Sequence, residues 1–181
     1  MTRPTRRPAR VAASAAALVA GLALAGCSAG AVTQTDTTMT GVTGSQGQVG
    51  EMLVRDAAID PGTTAVVPAG TTVTLRASLI NEAPGGDRLV SVSTPYATTV
   101  TSEGVTQIPG DNALRLVGSD PGPVGPAPAD TRIAATARTV LGGVTQVLHA
   151  GPTYPVTFTF ERAGAVTVPV PVQSAGLTPV S

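Results

Sequence analysis

The chain has 181 residues with 11 basic and 11 acidic groups, but every basic residue is Arg, and Arg3, Arg6, Arg7 and Arg10 all precede Cys27, where no acid stands. The remainder sets seven Arg against eleven acids, a net charge of −4, which argues against a nucleic-acid partner. One Cys excludes an internal disulfide, a Cys-rich zinc site and an iron–sulfur cluster, and 2% aromatic residues leave the core to Val, Leu, Ile and Ala.

In chain order, residues 1–10 form a charged n-region and Val11 to Leu24 an apolar stretch. At about 14 residues it is too short to span a bilayer and reads as a signal-peptide core. Leu24-Ala25-Gly26-Cys27 resembles the bacterial lipobox. That resemblance implies cleavage before Cys27, diacylation of that Cys, and anchoring to the outer face of the cytoplasmic membrane. Thr5-Arg6-Arg7 leaves the export route open between the general and twin-arginine systems. Residues 1–26 are thus a lipoprotein signal peptide. Residues 27–50, rich in Thr, Gly, Ser and Gln, are the lipidated Cys and a flexible tether spanning roughly 25 Å.

From Glu51 the pattern changes to period two. Val73, Leu75, Ala77 and Leu79 alternate with polar residues; so do Tyr154, Val156, Phe158 and Phe160, and later Val166, Val168, Val170 and Val172. Such alternation places one face on a core and the other in water. Shorter strands are predicted at Met52–Ala57, Arg88–Ser93, Thr99–Thr101 and Ala113–Val117, with another at Thr64–Val67. Turn chemistry separates them at Asp60-Pro61-Gly62, Pro84-Gly85-Gly86-Asp87, Pro109-Gly110-Asp111-Asn112 and Ala163-Gly164. Asp120 to Ala129, with four prolines, reads as an exposed loop. Pro169 and Pro171 mark the last strand as a sheet edge. About seven to nine short strands predict an all-β sandwich or Greek-key barrel over residues 51–172, followed by a tail at 173–181.

Two stretches carry a family resemblance. Asp87-Arg88-Leu89-Val90-Ser91-Val92-Ser93-Thr94-Pro95 resembles the first conserved strand of the periplasmic copper chaperones called PCuAC. Tyr154-Pro155-Val156-Thr157-Phe158-Thr159-Phe160-Glu161-Arg162-Ala163-Gly164, followed by Val166-Thr167-Val168, resembles their closing hairpin. Lipobox, tether and proline loop make the chain more similar still to the actinobacterial LpqE lipoproteins, a branch grouped with that family. The resemblance implies a cupredoxin-like Greek-key β-sandwich. It also implies a Cu(I) site of two His and two Met, but those positions fall at Glu103, near Leu114, and at Arg138 and Val140. None of these side chains is a Cu(I) donor. The family's copper site is therefore expected to be absent, and the four positions are a candidate binding patch.

Mature soft donors are Met39, Met52 and His149. A relocated copper site on His149 and Met52 is the alternative to having no cofactor, and it requires the two to converge. A Ser–His–acid hydrolase would have to use His149, the single His, and no Gly-x-Ser-x-Gly elbow accompanies it. Glu51, Asp56, Asp60, Glu82 and Glu103 are scattered acids rather than a recognisable glycosidase pair. Asp87 and Arg88 read as a strand-start cap or structural ion pair ahead of a catalytic pair. The expectation is a monomeric, non-enzymatic envelope lipoprotein. It would be held to the membrane through Cys27, would not bind nucleic acid, and would serve an envelope protein or small ligand.

Overall fold

The computed structural model describes residues 44–64, 66–119, 122–127 and 132–173, all within one compact unit, Gly41–Ser181. The signal segment, Cys27 and Met39 lie outside the described residues. Thirteen strands and no helix appear among the described residues. The larger sheet runs β1 (Ser45–Val49), β2 (Met52–Asp60), β4 (Val73–Asn81), β8 (Asn112–Leu116), β10 (Ile133–Val144), β6 (Ala97–Gly104), with β9 (Gly125–Pro126) laid on β10. The second sheet runs β13 (Gly164–Pro171), β12 (Thr153–Phe160), β5 (Asp87–Ser93), β7 (Gln107–Ile108). A ribbon of β3 (Val66–Val67) and β11 (Leu148–His149) stands apart.

The period-two segments behave as their patterns demand. Val73, Leu75, Ala77 and Leu79 of β4 and Tyr154, Val156, Phe158 and Phe160 of β12 are buried, meeting in a core whose largest fully buried side chain is Phe158. Burying each large apolar side chain contributes about 1.5–3 kcal/mol. The all-β sandwich is the architecture observed. The prolines of β13 confirm the edge argument: Pro169 lies directly opposite Pro155, and β13 is the outermost strand of its sheet. Neither proline has an N–H, so both occupy a position where the ladder asks for none.

Three expectations are corrected. The tether ends earlier than residue 50, because Ser45–Val49 forms β1, a hairpin partner of β2. Gly47 seats against the side chains of Val166 and Val168, and the Ser45 hydroxyl donates to the Pro169 carbonyl, so β1 closes one side of the sandwich. On that same side the chain leaves β13 and crosses back, where Gln173 N donates to Ile59 O (2.8 Å). The proline loop is not wholly free: Gly125–Pro126 pairs with β10, and the Thr136 hydroxyl donates to Pro123 O (2.7 Å). The longest strand, the twelve-residue β10, lies in a segment where no strand is predicted. It is nevertheless the hinge of the larger sheet, pairing with β6, β8 and β9 and, beyond the end of β8, directly with β4.

Candidate functional site

The two resemblance-bearing motifs meet in space, and their charged residues lock them together. Asp87 begins β5, buried at 7% exposure. Its Oδ1 accepts from Arg88 N (2.7 Å) and Arg162 N (2.9 Å), and its Oδ2 from Ala163 N (2.9 Å). Burial pushes this carboxyl upward, but the backbone donors of Arg162, Arg88 and Ala163, with the Arg162 guanidinium, outweigh it and hold the group below its ordinary range. Arg88 forms a forked pair with Glu161, Nε to Oε2 at 3.2 Å and Nη2 to Oε1 at 3.1 Å. Beside them Asn81, also buried, gives its amide to Gly85 O (2.8 Å) and Ile108 O (3.1 Å) and accepts from Ala83 N (3.0 Å). Asp87 and Arg88 tie the start of β5 to the turn of the β12–β13 hairpin, while Asn81 braces the 81–85 turn internally and against Ile108. The junction is structural.

The candidate patch at the copper-aligned positions is divided by the sheet. Arg138 on β10 lies directly opposite Glu103 on β6, and Val140 opposite Thr101. Directly opposed residues in an antiparallel pair share a face, so Glu103, Arg138 and Val140 occupy the outer face. Leu114 has the other parity: it is fully buried in β8, opposite buried Leu79 and Ala135, and belongs to the core. A patch of all four is corrected to one of three, with Arg138 Nη2 additionally reaching Gly122 O (3.4 Å).

The pairing of His149 with Met52 is also corrected. Met52 starts β2 opposite Asn81, with its thioether in the core at 1% exposure. His149 is exposed, in β11 opposite Val66. It follows the end of β10, where Val144 exchanges hydrogen bonds with Gly70 and Thr71 just ahead of Val73. From Asn81 to Val73 is the length of β4, about 26 Å at roughly 3.3 Å per residue. The two donors belong to opposite ends of the sandwich. What holds His149 is its backbone: its N–H donates to the hydroxyl of buried Tyr154 (2.9 Å), whose ring meets Tyr96 edge-on at 5.0 Å. No cluster of three or more His, Cys, Asp or Glu suited to a metal occurs among the described residues.

Sequence reasoning missed a hollow of about 840 Å³ between the outer face of the larger sheet and residues 118–119 and 122–127. Arg76 of β4 and Arg115 of β8 line it, with Asp60 at its edge and Pro123, Val124 and Pro126 as an apolar lip. The Asp60 carboxylate is engaged, Oδ1 accepting from Gly62 N (2.9 Å) and Oδ2 from both N and Oγ of Ser119 (2.8 Å each). Burial raises its pKa, but the bonds from Ser119 and Gly62 and the nearby Arg76 charge bring it below its ordinary value. Alternation along β4 and β8 does put Arg76 and Arg115 on outward positions. The neighbourhood of those two strands, well separated along the chain, is not in the sequence pattern.

The sandwich is that of the PCuAC domains. The copper-bound PCuAC domain from PmoF2 matches with a TM-score of 0.54 at 19% identity, covering 71% of this chain and 97% of that one. The apo PCuAC domain from PmoF1 matches at 0.55 and 18%, covering 71% and 98%. These likenesses define the class as a PCuAC-like, cupredoxin-like β-sandwich. Within it, a family model described as LpqE-like matches residues 52–172. LpqE of Mycobacterium leprae is 36% identical over 159 residues, 86% of this chain and 84% of that protein. LpqE of Mycobacterium tuberculosis is 34% identical over 162 residues, 87% and 85% respectively. The chain belongs to the LpqE-like family, whose relatives carry a lipoprotein designation.

Proposed function

We propose that this chain is an exported lipoprotein, diacylated at Cys27 and anchored to the outer face of the cytoplasmic membrane. Its folded part is a non-enzymatic binding or accessory module of PCuAC-like fold that does not carry copper at the family positions. The observation that carries the second half is the fate of the four aligned positions. Glu103, Arg138 and Val140 face outward without a thioether or imidazole among them, and Leu114 is a core residue. The only His and the only described Met, which could have built a substitute, belong to opposite ends of the fold. The lipobox at Cys27 and the lipoprotein designation of the relatives support the first half.

The test is a Cu(I) competition titration against a chromophoric chelator, with the full chain purified from membranes in nonionic detergent. The expected result is no chelator-competitive equivalent, identical in His149→Ala. One tight equivalent lost in that variant would establish a relocated copper site and overturn the reading. In parallel, Cys27→Ser is expected to abolish incorporation of radiolabelled palmitate and release the protein from the membrane fraction; persistence of both in the variant refutes the anchor.

A further inference from the structure

Beyond that reading, at positions outside the copper-aligned set, we infer that Arg76 and Arg115 form the cationic wall of a binding site for an oxyanion group, phosphate or carboxylate, carried on a partly apolar ligand. The body of the protein is net negative, yet four of its seven arginines, Arg55, Arg76, Arg115 and Arg138, lie on the outer face of the larger sheet. β4 and β8 run antiparallel with Ser78 opposite Arg115, which places Arg76 diagonally beside Arg115 on the same face. Diagonal neighbours lie within reach of each other's long side chains, and two like charges there repel unless an anion sits between them.

The surroundings provide room for such an anion. Arg76 and Arg115 both line the hollow of about 840 Å³, and both also line an adjoining one of about 390 Å³ with Asp56 and Ser78. The larger volume is in the range of small-molecule sites, about 300–1,000 Å³. Its only acidic lining residue among those described is Asp60, which offsets one of the two positive charges. Arg115 is exposed and has no hydrogen bond or ion pair among the described residues, so its planar fork is available for two parallel bonds to one oxyanion. The site is also preorganised on one side. Asp60 holds Ser119 through two hydrogen bonds, and a Cβ on Gly118 would come within 2.3 Å of Asp60 Oδ2, so glycine permits that approach. Pro123, Val124 and Pro126 also line the hollow and suit the apolar part of the ligand.

The experiment uses isotopically labelled full chain in nonionic detergent micelles, with phenyl phosphate as the probe. Saturable shifts of the Gly118, Ser119, Val124 and Gly125 amides are expected. Arg115→Glu should weaken the apparent affinity at least tenfold, and Arg115→Lys, which keeps charge without the fork, should fall between. Arg115 is solvent-exposed, and the dispersion of the amide spectrum checks that each variant is folded. Doping the micelles with phosphatidylglycerol separates the sources of the same chemistry: shifts at those amides mark a lipid headgroup, and shifts with phenyl phosphate alone mark a free ligand. Absence of shifts with either probe, or shifts unchanged in Arg115→Glu, overturns the inference.

Discussion

Asp87→Ala tests the junction on which both resemblance-bearing motifs depend. The wild-type carboxylate accepts three backbone N–H bonds at 2.7–2.9 Å, two of them from the turn that closes the β12–β13 hairpin. Bonds to a charged acceptor are each worth about 1.5–3 kcal/mol, but they do not add, and water can reach the half-exposed turn once the carboxylate is gone. The expected net loss at neutral pH is about 2–3 kcal/mol, or roughly 6–12 °C in Tm for a domain of this size. Urea unfolding followed by far-ultraviolet circular dichroism, extrapolated linearly, measures it. The pH dependence has a definite sign. The folded carboxyl is held below its ordinary value of 3.8, so its stabilisation is complete above that pH and disappears as pH falls through the lower folded value. The gap between wild type and variant should therefore be constant from pH 7 to about pH 5 and close under more acidic conditions. A loss under about 0.5 kcal/mol at pH 7, or a gap that widens on acidification, would refute the account.

Other substitutions probe separate parts of the fold. Gly110→Ala places a Cβ 2.2 Å from Pro84 O, so backbone must move; a loss of about 1–3 kcal/mol is expected by the same unfolding assay. Tyr154→Phe removes the acceptor for His149 N–H and should cost about 1 kcal/mol, with faster hydrogen exchange confined to the β3–β11 ribbon. Phe158→Ala empties the centre of the core and should cost about 3–5 kcal/mol. By contrast Val90→Ala, at a side chain 55% exposed, should stay within about 0.5 kcal/mol.

The amino-acid sequence by itself determined the fold class and most strands, because a strand with one buried face writes its burial into alternate residues. β4, β12 and β13 read directly for that reason. β10 did not, although it is central. Its inward residues are Ala135, Ala137, Thr139 and Leu141, its outward ones include Ala134 and Val140, and small or hydroxylic residues inside erase the contrast that periodicity needs. Thr139 can sit fully buried there because its hydroxyl finds Ser102 across the strand pair (3.0 Å), a partner only the register supplies. β1 was hidden likewise: Gly47 contributes no side chain, and its role is to let Val166 and Val168 come close. For the sites, the sequence shows which donor side chains exist. It could not settle convergence. Strand parity put Leu114 in the core, sheet order separated Met52 from His149, and the pairing of β4 with β8 set Arg76 beside Arg115. Composition travels along the chain, whereas a binding site depends on distances across it, and those are fixed only when the sheets close.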